Sequence, residues 1–408
     1  MKKRMGLRMR AVKTHRRRAA VLVWAAVSLT LMIGFAALAI DIGHMYLVKV
    51  QMQSAADSGA MAGVSALAGS AVTLTDEQIS EMCSEATNRA MGYASKNQAD
   101  RQYLCANPSD VDVGHLDSWT NLDEQICEGG TPYNAVRVSL YKGENAPNDP
   151  IPLSFARIWG KHSAEMSVTA TAYMNNQAAY YRPVKNTIGA LIPVTIRLGK
   201  YNEEIMEQGG QDNFGWDPDN GGIQTCGDTV CEVSIYPEKQ KKAGNQTEGA
   251  GNFGILNINC NNVGSSTVRD QITGGLTGED LMNEFGTDMV SLWSDPGPCG
   301  SEVDGSPIGF DGSAGGNPGL MASLEKAFEA RLGQVAGFFI HEEVCQNGSN
   351  ATYKIVGVQF GRLMKVRLTG GPTNQCIIIQ PAPYLGMEIV TDEDAPPHLT
   401  AGRIMLVR

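Results

Sequence analysis

The apolar positions change their pattern several times along this chain, and each change predicts a different element. Ala19–Ile40 is an unbroken apolar run of 22 residues without one charge. A helix of that length spans about 33 Å, the thickness of a bilayer's hydrocarbon core. From Asp41 to Ala68 there is no Pro, and Ala, Met, Leu, Gln and Val dominate. The helix is therefore predicted to continue past the run as a stalk. Thr75–Gln98 carries Ile79, Met82, Cys83, Ala86, Ala90 and Tyr93 at helical spacing, with Asp76 and Glu77 at its start. That pattern predicts a second helix. Asn134–Tyr141 then alternates as a strand does, and Ser167–Met174 predicts another.

Past Pro183–Pro193, which reads as a boundary or crossover, the chain becomes Gly-rich. The pairs Gly209-Gly210, Gly221-Gly222, Gly274-Gly275, Gly315-Gly316 and Gly370-Gly371 separate short apolar stretches. Among these stretches are Val233–Tyr236, Phe253–Ile258, Val335–Ile340, Lys354–Phe360, Met364–Leu368 and Ile377–Ile379. Short strands between glycine turns predict a β-rich part, with Met321–Leu332 as its one clear helix and Ile404–Val407 as a last strand. The expected class is α+β. One membrane helix runs on into a stalk, and a pilin-like α+β region and a Gly-rich β-rich domain follow. The expected division is 1–18 basic tail, 19–40 span, 41–70 stalk, 71–178 first region and 179–408 second domain.

Charge orients the span. Residues 1–18 carry nine Lys or Arg and no acid, which favours the cytoplasmic side. The whole chain is at −10, so residues 19–408 are at −19. An acidic body argues against nucleic acid as a partner of the ectodomain. Next to a span, the basic tail reads as a membrane-facing segment. A cleaved signal peptide is the rival reading, because Ala37-Leu38-Ala39 fits a small-x-small site. The length of the run favours an anchor. A prepilin-type site at Gly34-Phe35 fails, since Ala39 stands where Glu is expected.

Ala55, Gly59 and Gly63 recur every four residues on one face of the stalk. Gly59-x-x-x-Gly63 lets another backbone approach closely. Two readings stand side by side: packing on the protein's own ectodomain, and packing in a multi-subunit assembly.

The stretch Phe35-Ala-Ala-Leu-Ala-Ile-Asp41-Ile-Gly43, then Tyr46, Met52-Gln53-Ser-Ala55-Ala56-Asp57 and Ala60-Met-Ala62-Gly63 resembles the Tad-type domain of TadE/TadG-like Flp pilus-assembly proteins. The departures are small: Met52 for Leu, and Ser58-Gly59 for two alanines. Val136–Leu140, Phe155-Ala-Arg157-Ile-Trp-Gly160 and Val168–Ala172 are similar to the strand, F-x-x-x-x-G and A-x-A pattern that often follows the span. Asn252–Asn257 and Tyr353–Gly357 resemble a C-terminal half found in some members. The resemblance implies a single-pass protein of the bacterial inner (cytoplasmic) membrane, N-terminus inside and bulk outside, working in tight-adherence pilus assembly or secretion. It implies no enzyme, no cofactor and no small-molecule substrate. The partners implied are the lipid bilayer and other assembly proteins, a second copy included. Asp41, Tyr46, Gln53, Asp57, Gly59 and Gly63 are the expected packing and partner contacts. The alternative is a membrane-tethered adhesin or ligand-binding surface protein that uses its Gly-rich second half. A third reading is a secreted enzyme released by signal peptidase.

All nine cysteines lie between Cys83 and Cys376, outside the tail and span, which predicts an oxidising compartment. The favoured pairs are Cys226–Cys231, Cys260–Cys299 and Cys345–Cys376. Cys83, Cys105 and Cys127 would supply one more bond and one free thiol. Zinc is disfavoured, because Cys226-x4-Cys231 has no second Cys or His pair nearby.

Several motifs begin and fail. His341-Glu-Glu-Val-Cys345 has Cys where a metalloprotease helix needs its second His, and reads as an acidic strand edge. Asp311-Gly-Ser313-Ala-Gly315 resembles a von Willebrand metal-site start but ends in Gly, and reads as a glycine-rich surface loop. Asp217–Asp228 has EF-hand spacing at positions 1, 3, 6 and 12. Gly221 at position 5 and Asp228 at position 12 weaken it, and a solvated turn is the reading. No nucleophile stands beside a base in the sequence, so hydrolase chemistry has no support.

Overall fold

The computed structural model describes residues 10–68, 76–116, 126, 133–217, 220–236, 252–259, 265–292, 313–318, 322–345, 352–369, 375–392, 395, 398 and 400–407. Helix makes up 36% and strand 35% of the protein. One helix, α1 (Arg10–Ser65), runs from the basic segment through the apolar run and the stalk without a break. Its 56 residues extend about 84 Å. Between Val21 and Ser65 it is long and apolar enough to cross a membrane.

The two ends of α1 meet different surroundings. Val21 to Ile33 is exposed throughout, with Trp24 at 73%. Beyond Asp41 one face is covered: Val48, Met52, Ala55, Ala56, Ala60, Val64 and Leu67 have no exposed surface. They pack on α2 (Asp76–Ser95) and on strands β1 (Val111–Gly114), β2 (Ala135–Lys142) and β3 (Met166–Asn175). The strand pattern explains the fit. Val136, Val138 and Leu140 of β2 alternate toward the helix and sit opposite Ala172, Ala170 and Val168 of β3. Small residues on β3 leave room for a helix lying across the sheet.

The last strand, Arg403–Val407, lies at the edge of this sheet. It pairs antiparallel with β3, Ile404 opposite Met174 and Leu406 opposite Ala172. Ile404 and Leu406 pack on the α1 core, while Met405 and Val407 pack on the other sheet face with Leu116, Ala135 and Tyr173. The expected division at 178/179 therefore needs one correction: the chain returns at its end to complete the first sheet. The described residues between β3 and that strand form an excursion from this sheet.

The excursion begins with β4 (Ala178–Tyr181) and β5 (Leu191–Arg197), followed by β6 (Val233–Tyr236) and β7 (Asn252–Asn257). Helices α3 (Ser265–Gly274) and α4 (Gly278–Phe285) come next, then β8 (Val290–Ser291) and β9 (Ser313–Pro318). A short helix, α5 (Glu325–Glu329), precedes β10 (Val335–Cys345), β11 (Thr352–Arg367), β12 (Cys376–Pro381) and β13 (Ile389–Thr391). The pairings β10–β11, β11–β9, β9–β7, β7–β5 and β5–β10 close on themselves. Only β5–β10 is parallel. The far half of β11 carries β12, which carries β6. Closing the ring removes most free strand edges, which otherwise invite aggregation.

Several expectations are corrected here. Pro193 lies inside β5, a strand buried along almost its whole length between two neighbours, rather than in a crossover. The expected strands at Tyr353–Phe360 and Met364–Leu368 are not a pair of separate strands; both lie on the single 16-residue strand β11, with Leu368 just past its end. Ser313–Gly315 belongs to β9 rather than a surface loop, and Ala314 is fully buried. The predicted helix Met321–Leu332 is reduced to α5 and a 3-10 turn at Ala322–Leu324. Helices α3 and α4 have no counterpart in the sequence pattern read above. Helix α4 is announced by a capping box, in which Thr277 accepts from Asp280 N and Asp280 accepts from Thr277 N. Arg331 ties α3 to β5: its guanidinium donates to Ile272 O and Thr273 O at the helix end and to Gly189 O.

Removing Arg403–Arg408 should open the first sheet edge and strip two aliphatic side chains from the α1 core. We expect a loss of about 2–4 kcal/mol, seen as a lower melting temperature and faster trypsin cleavage between residues 76 and 175. Unchanged melting would show that the last strand adds nothing to this core.

Candidate functional site: the membrane-proximal helix

The predicted contact residues of α1 fall into three groups. Gly59 and Gly63 face α2. A Cβ on Gly59 would lie 2.9 Å from Ala90 O and 3.2 Å from the Ala94 side chain. One on Gly63 would lie 2.9 Å from Val136 and 3.1 Å from Ala86 O. Ala86, Ala90 and Ala94 repeat the four-residue spacing on the antiparallel α2, so small residues meet small residues and the backbones close up. The small-residue face is therefore occupied by the protein's own first unit.

Asp41 is 4% exposed and sits one residue past the apolar run. It holds the loop before the 3-10 turn Ala156–Trp159. Oδ1 accepts from Ser154 N at 2.9 Å, and Oδ2 from Phe155 N at 3.0 Å and Ala156 N at 2.7 Å. Burial works to raise its pKa. The N–H groups of Ala156, Ser154 and Phe155, helped by His44, outweigh that and hold the carboxyl below its ordinary value. Asp41, just past the span, and the Phe155–Gly160 segment, 114 residues away, are thus one contact. Gln53 does similar work higher up, donating to Asp57 Oδ1 at 2.9 Å and to Thr169 O on β3 at 3.2 Å.

Tyr46 stands apart. It is 69% exposed, on a face with Ile42 (52%) and Val50 (49%), and Leu47 (54%) lies beside it. This face continues the uncovered apolar surface about three turns past the run.

The cysteine expectations fare differently. Cys226 and Cys231 are both free thiols. Cys226 Sγ donates to Gln224 Oε1, and the intervening chain wraps the Asp212 carboxylate through Asp228 N and Thr229 N. Cys345–Cys376 is excluded by register. Cys345 lies opposite Thr352 and Cys376 opposite Arg367, at the two ends of β11. Fifteen residues of strand separate them by about 50 Å, far beyond the roughly 7 Å a disulfide bridges. Cys83 and Cys105 are also free, and burial raises the Cys83 thiol. Cys260, Cys299 and Cys127 lie outside the described residues.

The failed motifs have structural explanations. His341 is on β10, buried, rather than at an acidic edge. Its Nδ1 is 2.9 Å from Thr195 Oγ1, and its ring stands edge-on to Tyr353. Burial, with Arg197 adding, lowers its pKa to about 3. Asp217 caps a hairpin, accepting from Asn220 N, Asn220 Nδ2 and Gln224 Nε2. Among the described residues no group of three or more His, Cys, Asp or Glu could hold a metal ion. His398, which the sequence reading passed over, is buried between Val358 O at Nε2 and Thr400 N at Nδ1. An N–H donor at Nδ1 requires the neutral ring, and burial lowers its pKa to about 4.

Comparison with known proteins matches residues 19–66 to the Tad family, described as "Putative Flp pilus-assembly TadE/G-like". The matched segment covers the apolar run and the stalk half of α1, to its end at Ser65 and one residue beyond. No curated protein and no solved structure matches the chain.

Replacing Gly59 and Gly63 with Leu should destabilise the first unit by about 1–3 kcal/mol per site through overpacking. Thermal melting should drop, and α2 should become protease-sensitive. A double variant that melts normally would contradict the packing described. The two buried histidines predict acid sensitivity of the excursion. Their folded pKa values lie below the ordinary value near 6.5, so the unfolded chain takes up protons first. Stability is complete above about pH 6.5 and falls as pH drops toward 4 and 3, by up to about 1.4 kcal/mol per pH unit for each ring. Urea midpoints at pH 7.5 and pH 5 should differ, and His398→Gln should reduce the difference. Equal midpoints would rule out buried neutral rings.

Proposed function

We propose that this chain is a non-enzymatic, membrane-anchored structural component of a Tad-type (Flp) pilus assembly or a related secretion apparatus. It works from the bacterial inner membrane, with its basic tail in the cytoplasm and its folded body outside. The observation that carries the reading is the shared helix. In α1 the segment matched to the Tad family is both the candidate span and the central element of the first unit's core. Such a helix transmits position: whatever holds the apolar half holds the body. Because Gly59 and Gly63 are used internally, the partner contacts belong on the uncovered face at Ile42, Tyr46, Leu47 and Val50. Those side chains remain available to the apolar helices of other assembly proteins or of a second copy.

Alkaline extraction of membranes should leave the intact chain in the pellet. A photo-crosslinker at Tyr46 should capture another envelope protein or a second copy. A soluble mature chain, or a Tyr46 site with no adduct in piliated cells, would overturn the proposal.

A further inference from the structure

The Phe155–Lys161 loop exposes Ile158 at 76% and Trp159 at 66%, among the largest apolar exposures outside the span. Singly exposed apolar residues are ordinary; these two are unusual in how firmly they are held. The strand pair Ile151–Pro152 and Ser163–Ala164 closes the base of the loop, and Leu153 N donates to His162 O above it. Gly160, at φ +81°, ends the 3-10 turn with its N–H on Arg157 O, and Lys161 N donates to Ala156 O. Asp41 then fastens the loop to α1 through the three N–H groups of Ser154, Phe155 and Ala156. The apolar pair is therefore presented on a rigid tip.

The level of that tip follows from where it is tied. Asp41 directly succeeds Ile40, the last residue of the run. Ala37, one turn further into the run on the same face, is 5% exposed, while Phe35 and Leu38 are 70% and 50% exposed. The Asp41 tie places the loop beside the last turn of the span, on the helix face that also carries the covered Ala37. Its charge also differs from that of the body. Ser154–Ala164 carries Arg157 and Lys161 and no acid, whereas residues 19–408 as a whole are at net −19. Tryptophan with flanking bases suits the boundary between hydrocarbon and headgroups.

We propose that this loop is a lipid-surface contact: Ile158 and Trp159 enter the outer boundary of the bilayer, and Arg157 and Lys161 meet lipid phosphates. It acts as a second foot beside the span and fixes the tilt of the body on the membrane. The inference rests on α1 crossing the bilayer, and the test separates the two.

The full chain is placed in vesicles of phosphatidylcholine and phosphatidylglycerol carrying acyl-chain bromines at graded depths. The emission lost in Trp159→Phe reports on the loop, and that lost in Trp24→Phe reports on the span. The proposal expects the Trp159 component to be blue-shifted and quenched most by the shallowest bromines, with Trp24 quenched by deep ones. A red-shifted, unquenched Trp159 beside a quenched Trp24 would sink the loop contact and leave the span intact. A blue but unquenched component that reddens on dilution with empty vesicles would assign the loop to a second copy and overturn the lipid contact. If Trp24 itself is unquenched, the span fails and the loop proposal falls with it.

Discussion

The close approach of α1 to α2 at Gly59 and Gly63 is the constraint on which the first unit depends. Backbone carbonyls of Ala86 and Ala90 lie where side chains would otherwise stand. This closeness lets a helix continuous with an apolar span sink onto a four-stranded sheet of alternating valine and alanine. The sheet is completed by Arg403–Val407, so the stalk half of α1 and that strand meet in one core. The large excursion between β3 and the C-terminal strand starts and finishes at that core. Its own stability comes from a ring of strands that closes on itself.

Asp41 adds a second constraint of a different kind. A carboxylate that accepts three backbone N–H groups fixes a loop far away in sequence to the point where apolar helix gives way to packed helix. Removing the charge would leave those donors without their acceptor and release the tip bearing Ile158 and Trp159. Packing thus fixes the helix to the domain, and one buried acid fixes the height of the domain along the helix. The same residues account for two elements of the resemblance, the acidic residue after the span and the F-x-x-x-x-G segment, as halves of one contact.

Much of the first unit was legible because its periods are strong. The unbroken helix, the second helix, and strands near 134–141 and 167–174 all follow from spacing of apolar residues. The role of Gly59 and Gly63 was left between two readings, because small residues serve any close helix contact and spacing does not name the partner. The excursion was less legible. Gly-Gly pairs that read as turns are in part strand residues, as at Gly315-Gly316, which pair with Asn257 and Leu256 on one side, Gly315 also with Thr352 on the other. Sequence proximity misled the pairing of Cys345 with Cys376, because one long strand carries their neighbours at opposite ends. The return of Arg403–Val407 to the first sheet is a long-range pairing that no local pattern encodes. Among the buried polar groups, His398 gave no signal, since a lone histidine in a polar segment reads as surface.

In the proposed anchored state α1 is one mechanical element, continuous from the candidate span to the core of the first unit. Amide hydrogen exchange on the full chain in lipid vesicles tests it most directly. Slow exchange is expected from Val21 through Gly63 with no interruption. A fast-exchanging segment between Ile40 and Val48 would mark a hinge between anchor and body, and would contradict the claim.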